Sequence, residues 1–314
     1  MFTGLSAFPL TPLKDDSVDE AAFTGLVQRL ADSGVDSITA LGSTGSYAYL
    51  TAAERARVAQ LAVEHAGGVP VFVGVGALRT SHVLANVRSA EAAGAAGILL
   101  APMSYQPLTD DDVLGLFRSV TGGTDLPVIV YDNPGTTHFS FSTELYARIA
   151  ELPGIASIKI PGVPQAAAKA RERVAGIRAV LPEHVTIGIS GDATAADGLA
   201  AGCDAWYSVI AGTLPAPALR ILRAARADSA NTADEADQAD RAHQTDRAAA
   251  AAAESARLAP LWQLFAEFGS LRVTAAIAEQ LGLAPHASLP LPLRGLDSNG
   301  RTRVARVLEE LRLA

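Results

Sequence analysis

Lysine is scarce in this chain. Only three occur among 314 residues, Lys14, Lys159 and Lys169, and arginine supplies the rest of the basic charge. Cysteine is scarcer: Cys203 stands alone, which excludes an intramolecular disulfide and any cysteine-based metal cluster, and fits a reducing compartment. Basic charge is in deficit, with 25 Lys and Arg against 33 Asp and Glu, and a net charge of −8 argues against nucleic acid or an anionic membrane as partner. No stretch approaches the uninterrupted run of strong hydrophobes that a membrane span needs, and residues 1–9 carry no basic leader region. A cytoplasmic protein is the expectation. The six histidines (His65, His82, His138, His184, His243, His286) show no paired spacing such as His-x-x-x-His, so they read as surface or structural residues and no metal is expected.

Apolar residues make up 49% of the chain, ample for one large α/β barrel or two ordinary domains. Short apolar segments alternate with longer amphipathic ones as far as about residue 208, the pattern of a parallel sheet with crossover helices. Eight strand candidates fall at 4–9, 36–41, 69–75, 97–101, 127–131, 155–160, 185–189 and 205–209. Capping signals open several of the intervening helices, among them Ser17-Val-Asp-Glu20 and Thr51-Ala-Ala-Glu54. Eight βα units imply a (β/α)8 TIM barrel over residues 1–225. A C-terminal helical region, 226–314, should follow. Its first part, 226–257 within an alanine-rich stretch that begins near 224, includes six consecutive alanines from Ala248 to Ala253. It has high helix propensity but few apolar anchors, and is expected to be an exposed or partly disordered insertion. Periodic apolar residues (Leu261, Leu264, Phe265, Phe268) return over 258–280, then an extended segment at 289–294 and a last helix at 301–313.

In such a barrel the active site lies at the carboxyl ends of the strands. Strand two runs there into Gly42-Ser-Thr-Gly-Ser46, strand five ends at Tyr131-Asp-Asn-Pro134, and strand six ends at Lys159. A buried amine disfavours its ammonium form, which lowers its pKa and makes it a nucleophile able to form a Schiff base with a carbonyl compound. The alternative is a lysine that snorkels to solvent or pairs with a carboxylate. The glycine-rich turn could hold a carboxylate or phosphate on its backbone N–H groups and the Ser43 and Thr44 hydroxyls, or be a tight turn only; it lacks the Gly-Lys-Ser/Thr ending of a nucleotide loop. Tyr131 alone could equally be a core tyrosine.

Taken together these stretches resemble the dihydrodipicolinate synthase / N-acetylneuraminate lyase family of class I, pyruvate-dependent aldolases. The matching segments are Ala7-Phe-Pro-Leu-Thr-Pro12, Gly42-Ser-Thr-Gly45, Leu50-Thr-Ala-Ala-Glu-Arg55, Pro70-Val-Phe-Val-Gly-Val-Gly76, Tyr131-Asp-Asn-Pro134, Ile158-Lys159 and Ser190-Gly-Asp192, in family order over about 1–210. The resemblance implies Lys159 as Schiff-base lysine, Tyr131 as proton shuttle, and Thr44 hydrogen-bonded to that tyrosine, with Ser43 and Thr44 on the keto-acid carboxylate. It implies no cofactor beyond the covalent imine. The partners it implies are a small-molecule keto acid, an aldehyde and further copies of the chain, as a dimer or tetramer. Gly42, Gly45, Ser104, Tyr105, Thr136, His138, Gly191 and Tyr207 complete the candidate substrate-contact set.

Departures from the family pattern bear on the second substrate. Ser46 stands where the glycine-rich loop usually ends in Glu, and Lys159 is followed by Ile-Pro-Gly162. Synthases of the family carry Arg five positions after the shuttle tyrosine, to bind the carboxylate of aspartate semialdehyde; this chain has Thr136. They also place a tyrosine two residues after the proline of the strand-four loop, reaching into a neighbouring subunit's site; counting from Pro102 gives Ser104, with Tyr105 one place late. The reading is therefore a Schiff-base lyase or aldolase acting on pyruvate or a related keto acid with an aldehyde-type second substrate. Its alternatives are dihydrodipicolinate synthase itself, with carboxylate recognition rebuilt, or a catalytically silent keto-acid-binding homologue.

Overall fold

A computed structural model describes residues 1–226 and 236–313. Eight parallel strands close into a barrel in sequence order: β1 (Gly4–Ala7), β2 (Ser37–Ala40), β3 (Val71–Gly74), β4 (Gly97–Leu100), β5 (Val128–Tyr131), β6 (Ile155–Ile160), β7 (Thr186–Ile189) and β8 (Ala205–Ser208). Each lies within one of the eight apolar segments read from the sequence. Around them run α1 (Glu20–Ser33), α2 (Ala52–His65), α3 (Thr80–Ala93), α4 (Asp110–Thr121), α5 (Thr143–Ala150), α6 (Ala167–Arg178), α7 (Ala195–Ala200) and α8 (Pro215–Arg226).

Local chemistry sets the helix starts. Thr51 opens α2 with a reciprocal capping box, its hydroxyl accepting from Glu54 N while the Glu54 side chain accepts from Thr51 N. The first helix differs from expectation. Asp19 is its cap, accepting from Ala22 N at 3.0 Å, while Ser17 belongs to a small hairpin pairing Leu13–Lys14 with Ser17–Val18. A short polar side chain directly before the helix satisfies a free N–H, and Asp19 is the one in that place.

Side chains alternate across a strand, so the period of two decides what points into the barrel. Phe72, Leu99, Ile129, Ala205 and Tyr207 fill the interior with Phe8, while Val128, Val130 and Ile158 face the helices. Burying a side chain such as Phe72 or Leu99 contributes about 1.5–3 kcal/mol. Two residues beyond Ile129 on the inward face comes Tyr131, and two beyond the buried Ser157 comes Lys159. Both arrive at the carboxyl-terminal mouth.

The alanine-rich stretch is helical, as expected, and most of its described side chains are exposed, but one face of it packs. Its described part is a helix, Ala236–Arg257, lying along α8 and α7. Ala251 and Ser255 are buried, and Glu254 bridges to Arg220 of α8 at 3.4 Å. Alanine offers little apolar area per residue, but its small side chain lets helices approach closely, which removes the need for large anchors. The portion of that expectation at 227–235 lies outside the described residues. Helices Ala259–Phe268 and Ser270–Gln280 follow, divided at Gly269, whose φ of 81° only glycine takes readily. The last helix, Ser298–Glu310, starts three residues before the expected position because Asp297 caps it, accepting from Gly300 N at 2.7 Å. Among the described residues, no helix is long and apolar enough to cross a membrane.

Candidate active site

Lys159 is 2% exposed and takes part in no ion pair among the described residues, which disposes of both the snorkelling and the carboxylate-paired alternatives. Its Nζ lies 3.8 Å from the centroid of the Tyr131 ring and 4.2 Å from that of Phe8. Burial pushes its pKa below the ordinary lysine value, and the neighbouring Tyr131 and Asp192 offset this only in part. Two aromatic faces attract an ammonium by about 0.5–2 kcal/mol. Full desolvation of a cation costs several. The neutral amine is thus favoured relative to a lysine in water.

Tyr131 sits on the neighbouring strand in direct register with Lys159. Its hydroxyl is 3.2 Å from Ser43 Oγ, and Asn133 Nδ2 donates to it at 2.8 Å and to Ser43 Oγ at 3.2 Å. The expected bond from Thr44 is therefore corrected. Thr44 is buried nearby, yet among the described residues no hydrogen bond joins it to Tyr131, and its neighbour Ser43 makes that contact instead. One residue's difference along a tight turn exchanges which hydroxyl faces the barrel axis.

The turn is held by close backbone approach. Leu41 and Ser46 bracket it with φ of 57° and 52°, conformations that non-glycine residues adopt at a cost of about 1–3 kcal/mol. A Cβ on Gly74 would lie 1.9 Å from Leu41 O, and one on Gly42 2.5 Å from Phe8 Cδ1. Gly42 and Gly45 thus shape the turn that presents Ser43.

Of the other candidates, Thr136 and His138 are exposed on the loop after β5, with Thr136 on the short helix Pro134–Thr137 and His138 ending it at φ 56°. Gly191, at φ 85°, lies at the mouth of β7. Ser104 is spent on Gln106 O within its own loop, and Tyr105 is 90% exposed, outside the pocket of this chain. Tyr207 is corrected to a floor residue: it is 1% exposed, its hydroxyl donates to Ser157 Oγ at 2.7 Å, and its ring occupies the space beside Gly188.

Three contributors lay inside quoted motifs without a role: Phe8 beneath the amine, Asn133 on the shuttle hydroxyl, and Asp192. Asp192 is buried with its oxygens accepting from Trp206 Nε1 at 3.0 Å, Ser208 Oγ at 2.9 Å and Ile210 N at 2.8 Å. Those bonds lower its pKa against the larger upward push of burial. It ties the ends of β7 and β8 together. Among the described residues no group of three or more His, Cys, Asp or Glu is placed to hold a metal ion.

A desolvated amine flanked by a tyrosine hydroxyl, at the mouth of a (β/α)8 barrel, has the chemistry of a class I aldolase. Comparison with known proteins carries this further. Residues 1–245 match the dihydrodipicolinate synthetase family. A 4-hydroxy-tetrahydrodipicolinate synthase of Anaplasma marginale (strain Florida) is 32% identical over 225 residues, 71% of each chain. The crystal structure of a dihydrodipicolinate synthase from Agrobacterium tumefaciens str. C58 superposes with a TM-score of 0.89 at 43% identity, covering 99% of this chain and 98% of that one. A dihydrodipicolinate synthase from Acinetobacter baumannii, complexed with pyruvate, shares the fold at 23% identity with a TM-score of 0.84 and full coverage of both chains. The chain belongs to the dihydrodipicolinate synthetase family and is a pyruvate-dependent class I aldolase.

Proposed function

We propose that Lys159 forms the imine with pyruvate or a related 2-keto acid, that Tyr131 moves the protons, and that the second substrate is a neutral or hydroxylated aldehyde. The observation that carries this is the sealed, unpaired amine held 3.8 Å from the Tyr131 ring. Carbinolamine formation, its dehydration and protonation of the enamine each move a proton, and a phenolic hydroxyl beside the amine can serve all three. The iminium is the electron sink, so no cofactor beyond the imine is invoked. Ser43 and Thr44, with the backbone of Gly42 and Gly45, would receive the keto-acid carboxylate. Incubation with pyruvate and borohydride should add one reduced pyruvyl group at Lys159. Labelling at Lys14 or Lys169 instead, or none, would leave the silent keto-acid-binding reading ahead.

The choice of aldehyde rests on Thr136. It is exposed, its hydroxyl reaches Asn133 O at 3.4 Å, and it offers one neutral hydrogen bond where a guanidinium would offer a charged, bidentate pair. Losing such a contact costs about 2–5 kcal/mol, more than an order of magnitude in discrimination. Poor kcat/KM with aspartate semialdehyde is expected beside a panel of neutral aldehydes and 2-keto-3-deoxy sugar acids. If aspartate semialdehyde leads by a wide margin, the chain is a 4-hydroxy-tetrahydrodipicolinate synthase whose carboxylate contact comes from His138 or an arginine elsewhere. The same reading includes a cytoplasmic location and a homo-oligomer, dimer or tetramer; exposed Tyr49, Leu78 and Tyr105 are apolar surface suited to a second copy.

A further inference from the structure

Tyr131 and Ser43 each carry one hydroxyl proton, and the proposed chemistry uses both: one moves to and from the reacting atoms, the other meets the keto-acid carboxylate. Where those protons point is therefore a property of the site. The two oxygens stand 3.2 Å apart, longer than the roughly 2.7–2.8 Å common between hydroxyls. Asn133 breaks the symmetry. Its Nδ2 carries two hydrogens and accepts none, and it donates to the Tyr131 oxygen at 2.8 Å and to Ser43 Oγ at 3.2 Å.

The loop after β5 is built to aim this amide inward. Asn133 precedes the short helix Pro134–Thr137, a place where an asparagine side chain commonly accepts from the first helical N–H groups, yet here it makes no such bond. Its backbone oxygen serves instead, accepting from Thr136 N and Thr137 N at 3.0 Å each and from Thr137 Oγ1 at 3.0 Å. On the other side, Asp132 N donates to Lys159 O at 3.0 Å, and the buried Asp132 carboxylate accepts from Tyr146 OH, which ties the backbone to β6 and α5. The Asn133 side chain is half-buried. Its Oδ1 looks away from the pocket toward exposed Gly135, where an added Cβ would lie 4.0 Å from it.

We propose that Asn133 is the positioning residue that sets the direction of both hydroxyl protons. The proposal deepens the reading of Lys159 and Tyr131 given above and rests on it. An amide N–H donates without titrating, so each hydroxyl oxygen receives a hydrogen from Asn133 and its own proton is left for the pocket. That of Tyr131 serves the oxygen leaving the carbinolamine; that of Ser43 serves the carboxylate. Once Tyr131 has given its proton away, the phenolate oxygen keeps the Asn133 N–H as a charge-assisted donor. An acceptor in the same place would draw both protons away from the substrate.

Asn133→Asp makes that exchange of donor for acceptor at nearly constant shape. The assay is exchange of the pyruvate methyl protons with deuterated solvent, measured beside the thermal midpoint. At about pH 8 the carboxylate accepts from both hydroxyls, and exchange should slow by roughly a hundredfold, the low end of what loss of the acid–base group itself costs. Toward about pH 5, roughly a tenth of a carboxyl of ordinary pKa, near 4, regains its proton and with it a donor, so the ratio of variant to unmodified rate should rise roughly tenfold. Tyr131, Asp132, His138 and Lys159, the other titrating groups of the loop and the mouth, are common to both proteins and cancel in the ratio. Asn133→Leu, similar in volume but without a donor, should slow exchange by roughly tenfold or more at every pH. Should the leucine loosen the loop, seen as a lowered thermal midpoint, the pH course of Asn133→Asp still decides. A ratio for Asn133→Asp that stays flat across pH overturns the proposal, because a merely structural role does not follow protonation. So does full exchange in Asn133→Asp at alkaline pH, which would mean that an acceptor serves there. If the unmodified enzyme fails to trap pyruvate with borohydride, the Lys159 reading has failed and this one falls with it; trapping, with exchange unslowed in both variants, removes Asn133 alone.

Discussion

Lys159→Met is expected to abolish pyruvate trapping and to lower turnover by at least about 10⁴-fold, the scale on which loss of a covalent nucleophile acts. The same substitution should raise stability at neutral pH. Methionine fills nearly the same volume between Phe8 and Tyr131 and removes a desolvated cationic group, so activity and stability are set against each other at this position. The sign follows from linkage. Burial places the folded-state pKa of Lys159 below the 10.5 of a free lysine, so the unfolded chain binds the proton first as pH falls. The resulting penalty is absent above 10.5 and grows as pH drops, becoming complete below the folded-state pKa. Thermal midpoints of the two proteins should therefore converge at alkaline pH and separate toward neutrality, with the variant higher. Equal midpoints throughout would mean that the amine is solvated and that its reactivity has another source. In kinetics the same depression predicts that the acid limb of the trapping rate lies below 10.5.

How much of this was legible beforehand differs between fold and site. The barrel was legible because strand and helix periods differ, and eight alternations over about 225 residues leave little else; β6 matches the expected 155–160 segment at both ends. The inward direction of Lys159 also follows from alternation within Ile-Ala-Ser-Ile-Lys-Ile. Hydroxyl partners were not legible. Whether Ser43 or Thr44 faces Tyr131 depends on the left-handed Leu41 and the backing of Gly74, long-range steric facts that a local pattern does not carry. Tyr207 stood among the candidate substrate contacts, yet Ser157, fifty residues away in the chain, claims its hydroxyl. The alanine-rich segment was legible as a mostly exposed helix, but its packed face at Ala251 and Ser255 was not: composition reports area per residue, whereas burial there depends on how closely α8 approaches.

Tyr131→Phe should cost roughly 10²–10⁴ in turnover on the true substrate while leaving the fold intact. The phenyl ring keeps its place 3.8 Å from the amine and its packing with Phe8, Ile129 and Ala101, so only the hydroxyl and its contacts to Ser43 and Asn133 are lost. Those two partners become unsatisfied in part, a cost of about 1–3 kcal/mol if they stay dry, and less once water enters from the mouth. Thermal stability should thus fall slightly or not at all. Trapping should still reach Lys159, because nucleophilic attack needs the neutral amine, but the imine should form and hydrolyse slowly, since dehydration and its reverse both need the proton. A loss below tenfold would place the proton transfer on another hydroxyl. Ser43 is then the first to test: it is the nearer of the two turn hydroxyls and already shares a hydrogen-bond triangle with Tyr131 and Asn133. Combining Ser43→Ala with Tyr131→Phe distinguishes one shared path from two parallel ones. Members of one relay give a double variant no worse than the weaker single, while independent paths multiply their losses.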